Sequence, residues 1–293
     1  MKKGFKFLII ATLLFLSSTF LSCYGSYNIF YKGNDVDYRT ENMLSLTDSS
    51  DAKFAASGIS SLSGKYDVLI ITDSHFGSKI SSTFVDDLYK WLDSVKGTDK
   101  APVFALSLGD SVDTGAQAEF DEYNKFCNKL KSDYGIKIIL NAAGNHDLYQ
   151  SHWDIWKDNC YPHTSFYKFQ TSGFSWYCFD TASGTIGEQQ YKKIRQEISS
   201  DSRPKIIYTH YPLTEFNLAF GISDTTERNL LISDFAKNNV KCYFGGHNHY
   251  YRYDYLKFHN YCCASFRYDN EVTILHVDET QGTAMAEPLK LKD

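Results

Sequence analysis

The chain has 293 residues, of which 43% are hydrophobic and 22% are charged, and its formal net charge is −5. This length suffices for one domain with its own core, and no repeat or low-complexity block divides it. A protein that binds duplex nucleic acid is expected to carry a basic surface, and the negative net charge of this chain argues against that class.

Residues 1–22 have the pattern of a secretory signal. Three lysines precede an apolar stretch over residues 7–20, which is shorter than the roughly 20 residues that a membrane span needs. The stretch leads into Ser22-Cys23, which resembles a relaxed bacterial lipoprotein box with Cys23 as the acylated residue. We therefore predict export and a lipid anchor to the cell membrane or outer membrane, with ordinary signal cleavage as the alternative. Cleavage would change the formal charge from −5 to −8, because three lysines and no acidic residue are removed.

Residues 23–63 are rich in Ser, Asn and Asp and show little periodicity after residues 27–31, which predicts a tether with one edge strand. Residues 64–293 alternate strands and helices and are predicted to form the catalytic domain. Strand-like runs cover residues 68–72, 103–108, 136–142, 205–208 and 241–244. Helices are predicted over residues 82–94, 117–131, 188–199 and 226–237. Residues 167–180 are predicted to form a hairpin, and residues 251–276 several further strands.

A short polar cluster follows each of the five strand-like runs. The clusters are Asp73-Ser74-His75, Gly109-Asp110-Ser111-Val112-Asp113, Gly144-Asn145-His146-Asp147, Tyr208-Thr209-His210 and Gly246-His247-Asn248-His249. Chains that alternate strands and helices place functional groups at the carboxyl ends of strands, on loops held by a rigid sheet. Coincidental loop residues would explain one such cluster, but five in succession indicate a common site.

The donors in these clusters are nitrogen and oxygen atoms without sulfur, which suits divalent ions such as Mn, Fe, Zn or Ni. The candidate ligands are Asp73, His75, Asp110, Asn145, His210, His247 and His249. A single ion takes three or four such ligands and keeps one position open, so seven donors fit two ions that share a carboxylate. Two-metal sites of this kind clamp both oxygens of an in-line displacement at phosphorus.

In their order along the chain, the five clusters resemble the signature of calcineurin-like metallophosphoesterases, and they span residues 73–249. The resemblance implies an α/β fold, a four-layer α/β/β/α sandwich of two mixed sheets flanked by helices, with the metals at one sheet edge. The implied ligands of one ion are Asp73, His75, Asp110 and His249, and those of the second are Asp110, Asn145, His210 and His247. A hydroxide that bridges the two ions is the implied nucleophile.

The resemblance also implies roles for two residues that are not ligands. His146 is expected to stabilise the transferring phosphoryl group and to protonate the leaving oxygen. Asp147 is expected to orient His146 by a hydrogen bond, and capping of a following helix is an equal alternative. Asp113 is expected to support its loop, not to bind metal.

Three positions depart from better-known branches of the family. Thr114 stands where protein Ser/Thr phosphatases carry a phosphate-binding arginine, and Asp147 stands where they carry glutamate. Asp113 stands where purple acid phosphatases have a tyrosine ligand, which disfavours a coloured ferric site. The nearest pattern is the bacterial branch of cyclic-nucleotide phosphodiesterases and small phosphomonoesterases.

We therefore predict a hydrolase of small phosphate mono- or diesters, with nucleotides among the candidate substrates. Its selectivity is expected to reside in loops 150–167 and 212–224. The alternative is a catalytically silent surface lipoprotein that uses the same fold as a binding module.

The remaining histidines and aromatic residues beside the clusters are assigned to ordinary packing. The histidines are His152, His163, His259 and His276. The aromatic residues are Phe76, Tyr211, Phe216, Tyr250 and Tyr251, and the alternative for them is that they flank a flat substrate.

Export would permit disulfides among the cysteines that follow Cys23. These are Cys127, Cys160, Cys178, Cys242, Cys262 and Cys263. Cys160 with Cys178 is one conceivable pair, which spacing does not settle.

Overall fold

The computed structural model describes residues 35–78, 83–215 and 221–291. The predicted signal, the acylation site Cys23, residues 27–31 and Phe216 lie outside these ranges. Among the residues described, none of the helices combines the length and the apolar character that a membrane crossing requires.

Twelve strands and eight α-helices are formed by the described residues. The strands are β1 (Leu44–Ser45), β2 (Lys65–Ile71), β3 (Phe104–Ser107), β4 (Ile139–Asn141), β5 (Tyr167–Gln170), β6 (Ser175–Cys178), β7 (Lys205–Tyr208), β8 (Val240–Gly245), β9 (Arg252–Tyr255), β10 (His259–Cys262), β11 (Glu271–Asp278) and β12 (Thr283–Lys290). The helices are α1 (Val36–Arg39), α2 (Ala52–Ser57), α3 (Thr83–Val95), α4 (Gln117–Tyr134), α5 (Trp153–Asn159), α6 (Glu188–Ser200), α7 (Thr225–Lys237) and α8 (Phe266–Asp269). Short 3-10 helices cover Ile59–Ser61 and His146–Ser151.

The strands form two mixed sheets. The first has the order β1-β5-β6-β7-β8-β10-β9, and the second has the order β12-β11-β2-β3-β4. Strands β2, β3 and β4 are parallel to one another, as are β6, β7, β8 and β10. Parallel strands end at the same edge of their sheet, so the five polar clusters follow strands that point to a common side.

Alternating side chains on each strand face different cores. On β2, Val68 and Ile70 are buried in the core between the sheets, whereas Leu69 and Ile71 pack against α3 and α4. On β7, Ile206 faces the core between the sheets, and Ile207 packs against α6 and α7. The layers therefore follow the order helix, sheet, sheet, helix. The predicted four-layer α/β/β/α sandwich is confirmed.

The helices form where apolar side chains recur at helical spacing. On α3, Phe84, Leu88 and Leu92 are buried against the sheet, as the sequence predicts. Helix α4 ends at Gly135, whose φ of 73° gives the left-handed C-cap that glycine accepts without steric cost. The four long predicted helices are confirmed, with α4 extending three residues beyond its predicted end. The predicted hairpin is the antiparallel pair β5 and β6.

Two predictions need correction, and one strand was missed. Residues 150–167 are not only a loop, because Trp153–Asn159 forms α5 and buries Trp153 and Trp156. Strand β12 was not predicted from the sequence, since only Ala284 of its eight residues is buried. The six cysteines among the described residues are free, so the Cys160–Cys178 pair is not formed. Cys160 lies among the helices outside the five-stranded sheet, whereas Cys178 lies between the sheets.

Residues 35–63 pack against the sandwich. Strand β1 pairs with β5 at the edge of the seven-stranded sheet. Arg39 of α1 has a fully buried side chain and binds the Asp180 carboxylate in bidentate fashion, with N–O distances of 2.7 and 2.8 Å. Asp180 follows β6 at its carboxyl end, so α1 lies at the same edge as the polar clusters. The boundaries of the signal, tether and catalytic domain remain predictions.

Candidate metal centre

Histidine and aspartate side chains from the separate clusters converge at the carboxyl ends of the strands. One group joins Asp73, His75 and His249, and a second joins Asp110, His210 and His247. In each group the donor atoms lie within 4.8 Å of one another. Residues far apart in the sequence thus offer oxygen and nitrogen atoms at the spacing that a metal ion requires.

The Asp110 carboxylate lies between the two groups. Its Oδ2 is 3.3 Å from Nε2 of His210 and 3.9 Å from Nε2 of His75. Its Oδ1 accepts a hydrogen bond of 2.8 Å from the backbone N–H of His146, which fixes the carboxylate orientation. This is the position that a carboxylate shared by two ions would occupy.

One carboxylate oxygen of Asp73 accepts hydrogen bonds, and the other accepts none from the described residues. Oδ2 accepts hydrogen bonds from Thr72 Oγ1 at 2.6 Å and from the backbone N–H of His247 at 3.0 Å. Oδ1 lies 3.2 Å from Nε2 of His249, but neither it nor the ring nitrogens of His75 form a hydrogen bond with the described residues. A buried polar atom without a partner costs about 1–3 kcal/mol. Ligation of a cation would remove that cost, so the residues present fit a metal.

His210 and Asn145 direct their donor atoms to the same point. Nδ1 of His210 donates to the carbonyl oxygen of Leu108 at 2.9 Å, a contact that joins the two sheets. Its Nε2 then lies 3.1 Å from Oδ1 of Asn145. Metal-binding histidines commonly hold one ring nitrogen in this way so that the other is free to coordinate. His247 is kept in place by Tyr211, whose ring stacks on it at 4.0 Å.

Five of the seven candidate ligands adopt left-handed backbone conformations. Asp73, His75, Asp110, His247 and His249 have φ between 43° and 69°. This region costs a non-glycine residue about 1–2 kcal/mol, and such strain concentrates at functional sites. Other non-glycine residues of the described chain also have positive φ, but no other group of side chains that converges has five of them, which supports a functional reason for the strain.

Two glycines allow the loops to approach closely. A Cβ on Gly144 would overlap the backbone nitrogen and the carboxylate of Asp110. A Cβ on Gly246 would overlap the hydroxyl of Thr72 and the carboxylate of Asp73. The glycines in these clusters are therefore required by packing around the two carboxylates.

Burial and facing charges shift the pKa values of most groups in the centre, and Asp110, His210 and Asp147 show how. Burial alone would raise the pKa of Asp110, but the facing imidazole of His210 outweighs it and holds that pKa well below its usual range. Burial would lower the pKa of His210, yet the Asp110 carboxylate raises it to about 9. Burial, together with the charge of Asp110, raises the pKa of Asp147 to about 7. The centre therefore concentrates negative charge that a cation would neutralise.

The predicted hydrogen bond from Asp147 to His146 needs correction. The Asp147 carboxylate is fully buried and accepts from the backbone N–H groups of Val112 and Gly144 at 3.1 and 2.9 Å. The carbonyl oxygen of Asp113 instead holds Nδ1 of His146 at 2.7 Å. Asp147 therefore fixes the loops that carry the ligands, and the backbone of Asp113 orients His146, whose side chain is 29% exposed beside His75.

The other residues discussed from the sequence have local partners. The side-chain oxygen of Asp113 lies 3.4 Å from Nδ1 of His75. Thr114 donates from its hydroxyl and its backbone N–H to Glu119 at the start of α4, at 2.8 Å in both cases. The four remaining histidines contact groups outside the centre: His152 the carbonyl of Thr114, His163 that of Lys157, His259 the hydroxyl of Tyr253, and His276 the carboxylate of Asp67.

Sequence reasoning missed two tyrosines at the centre. The Tyr268 ring stacks on His249 at 4.9 Å, and the Tyr149 ring lies 4.4 Å from that of His146. The chain has 22 tyrosines, and nothing in the sequence distinguishes these two. Phe76, by contrast, packs against Phe84 and Phe126, as core packing predicts.

A family model for calcineurin-like phosphoesterases matches residues 66–251, which is more than half of the chain and includes all five clusters. The chain belongs to this family. No curated protein sequence matches it. The family resemblance predicted from the clusters is thus confirmed.

Solved structures with the calcineurin-like phosphoesterase fold are similar to the chain. A dimetal phosphatase from Danio rerio is 10% identical with a TM-score of 0.52, and the match covers 75% of this chain and 98% of that one. A protein described as GAP50, the anchor in the inner membrane complex of Plasmodium, is 13% identical with a TM-score of 0.52, over 78% and 90% of the two chains. Purple acid phosphatase PPD1 from yellow lupin (Lupinus luteus) is 11% identical with a TM-score of 0.50, over 78% and 54%. At these identities the likeness shows the fold alone.

Proposed function

We propose that the protein is a metal-dependent hydrolase of phosphate mono- or diesters with a binuclear centre. The observation that carries the proposal is the Asp110 carboxylate, which lies between two groups of histidine and aspartate donors, most of them buried. Family membership and the dimetal phosphatase among the similar structures support the same reaction class.

The donors divide into two sets around Asp110. Asp73, His75 and His249 would hold one ion with Asp110, and Asn145, His210 and His247 would hold the other with it. When bound, divalent ions lower the pKa of coordinated water towards neutrality and polarise the phosphoryl oxygens. The donors are compatible with Mn, Fe, Zn or Ni.

His146 is the residue placed to act on the substrate. It projects beside His75 with its ring centroid 4.6 Å away, and its side chain is partly exposed, whereas that of His75 is buried. Because Nδ1 is held by the carbonyl of Asp113, Nε2 is left to contact a phosphoryl oxygen or to protonate the leaving alcohol. Thr114 bonds to Glu119, so this position supplies no cation to the phosphate.

The proposal is tested with Asp110→Asn in the purified domain, loaded with Mn²⁺ and assayed with nitrophenyl phosphate mono- and diesters. The variant retains the shape of the side chain but loses the charge shared by the two sets. We expect turnover to fall by at least about 10³-fold, as for an electrostatic group at a reaction centre, with loss of bound metal. Asp67→Asn is the control, because Asp67 pairs with His276 outside the centre.

Two outcomes would contradict the proposal. One is a folded protein that turns over neither class of ester with any divalent ion. The other is an Asp110→Asn variant that is as active as Asp67→Asn. The alternative is a binding protein without catalysis, motivated by the Plasmodium structure that is described as an anchor. It would retain partner binding when the candidate ligands are replaced by alanine.

We further propose that the chain is exported and anchored by a lipid on Cys23, and that its substrate is a small phosphate ester rather than duplex nucleic acid. The lysines before the apolar stretch and the Ser22-Cys23 pair support the anchor. Cys23→Ala is expected to move the protein from the membrane fraction to the soluble fraction. Retention of the variant in the membrane fraction would contradict lipidation.

A further inference from the structure

Three tyrosines with exposed rings surround the candidate metal centre. Tyr149, Tyr250 and Tyr268 are 41%, 43% and 45% exposed. Tyr268 stacks on His249 with an angle of 22° between the rings and also lies 5.5 Å from His75. Large aromatic rings in water beside a buried polar site indicate a surface that is covered when a ligand binds.

Tyr149 is held at the centre by a distorted backbone. The 3-10 helix His146–Ser151 is interrupted at Tyr149, where ψ is 148°, and the next two residues have φ of 56° and 64°. This distortion places the Tyr149 ring 4.4 Å from the ring of His146, and its hydroxyl accepts from the side-chain amide of Asn145 at 3.3 Å. Left-handed backbone at two successive non-glycine residues is costly, so the ring position is specified by more than local preference.

The two rings contact different histidines of the centre and come from segments that are far apart in the sequence. Tyr149 contacts His146, the residue proposed to protonate the leaving alcohol. Tyr268 lies on α8 and contacts His249, a candidate ligand in the group of Asp73 and His75. Both rings are exposed and each contacts a histidine of the centre, so a ligand bound there would lie near them. We call Tyr149 and Tyr268 the tyrosine pair.

A carboxylate lies beside the loop that carries His247 and His249. Glu215 accepts hydrogen bonds from the side chains of Asn248, at 2.6 Å, and Tyr250. Its negative charge disfavours a further anionic group on the organic part of the substrate. An uncharged planar ring meets no such penalty and gains stacking energy from the tyrosines.

We propose that the tyrosine pair binds a planar aromatic ring in the organic part of the substrate, so that the centre selects phosphate esters of nucleosides or of arylmethyl alcohols. This inference rests on the proposed hydrolase function and names its substrate class. Stacking of a base on an aromatic side chain contributes roughly 1–3 kcal/mol, which corresponds to about 5- to 150-fold in binding.

The test compares esters that differ only in the ring. Adenosine 5′-monophosphate is paired with ribose 5-phosphate, and benzyl phosphate with cyclohexylmethyl phosphate; the methyl diesters of all four form a second set. We expect kcat/KM to favour the aromatic member of at least one pair by about tenfold or more. The first pair isolates a nucleobase, and the second isolates a simple aryl ring.

Tyr149→Leu and Tyr268→Leu are expected to bring this ratio towards one. Both side chains are exposed, so the leucine variants should fold, and circular dichroism and metal content verify this. Tyr255→Leu is the matched control, because Tyr255 is 65% exposed on β9 and does not contact the centre's histidines. A ratio near one in the unsubstituted protein, or a ratio unchanged in both leucine variants, would overturn the proposal.

A binding measurement separates this proposal from the hydrolase function. Calorimetry of the Mn²⁺-loaded domain with adenosine 5′-monophosphate and with ribose 5-phosphate requires no turnover. Tighter binding of the nucleotide that is lost in the leucine variants supports the tyrosine pair even if no ester is hydrolysed. Equal affinities, or a preference for phosphocholine that Glu215→Gln removes, would show that the surface beside the centre recognises something other than an uncharged ring.

Discussion

His146 and Asp147 are adjacent in the sequence, yet their side chains contact different parts of the site. His146 is partly exposed at the centre, whereas Asp147 is fully buried and holds two backbone N–H groups. The two residues are the first of a 3-10 helix, in which successive side chains point about 120° apart. Neighbouring polar residues in one motif therefore have separable effects on activity and stability.

His146→Ala should reduce turnover without removing the metal. Loss of a group that transfers a proton typically costs about 10²–10⁴-fold in rate. The donors grouped around Asp73 and Asp110 remain, so metal content should stay near that of the unsubstituted protein. Steady-state kinetics and elemental analysis check this, and loss of both ions would show that His146 serves the centre in another way.

At the scale of elements, the strand ends and the loops after them determine the site. The parallel strands β2, β3 and β4 carry Asp73, Asp110 and Asn145 just beyond their carboxyl ends, and β7 and β8 carry the histidines from the other sheet. The loops pack against one another at Gly144, which contacts Asp110, and at Gly246, which contacts Asp73. The spacing of the carboxylates is thus sensitive to small changes in these turns.

Gly144→Ala tests this sensitivity. The new methyl group would overlap the backbone and the carboxylate of Asp110, so we expect at least about tenfold weaker metal binding together with a loss of stability. Gly97→Ala is the control, because its φ of 77° is strained for alanine but no atom lies within 4 Å of the new methyl group. The control should lose about 1 kcal/mol and retain its metal affinity, measured by titration and urea unfolding. Equal metal affinity in the two variants would contradict the close-packing argument.

The ion pair between Arg39 and Asp180 should stabilise the docking of α1. Arg39→Met leaves the Asp180 carboxylate buried without its cation, which typically costs about 3–5 kcal/mol. Urea unfolding measures the loss, and a double variant with Asp180→Leu should recover part of it. The exposed pair Lys192 and Glu188 is the control, where Lys192→Met should cause no measurable change. A small effect of Arg39→Met would mean that α1 contributes little to the fold.

The sequence predicted the elements whose pattern is strong and local. The strands before the clusters are apolar runs that end in polar residues, and α3 keeps a buried helical face at Phe84 and Leu88. Strand β12 escaped prediction because it is mostly exposed and contains Pro288, a residue disfavoured within strands. Helix α5 escaped because seven residues give too few turns for a period to be visible.

The sequence also predicted which side chains would meet, but not how they are supported. The seven candidate ligands can be identified from the sequence because each follows a predicted strand. The topology of parallel strands then places them at one edge of the sheets. Tyr149 and Tyr268 reach the centre through a backbone distortion and a four-residue helix, which no periodicity reveals. The partner of Asp147 was mispredicted because its hydrogen bonds are made to backbone groups.

At the scale of the whole molecule, metal binding should be coupled to stability. A cation would offset the repulsion among the clustered carboxylates, and a ligand at 100 times its Kd contributes about 2.7 kcal/mol. For a domain of this size, that corresponds to a Tm increase of about 5–10 °C. Differential scanning calorimetry with Mn²⁺ and with a chelator measures this increase. Asp110→Asn should show a much smaller one, and an identical response in both proteins would place the binding ion elsewhere.

The two ends of the described chain leave the sandwich on its catalytic side. Arg39 secures residues near 35 beside Asp180, and because β12 runs antiparallel to β11, Lys290 lies beside Glu271, close to the end of β2. A fluorescent protein inserted beside Asp35 or Leu291 would therefore lie on the same side as the candidate metal centre. Thr280 and Gln281 are the exposed residues of the turn between β11 and β12, at the far end of the strands, and are the better place to insert a reporter, whereas Glu279 before them is buried and binds Tyr66 and Gly173.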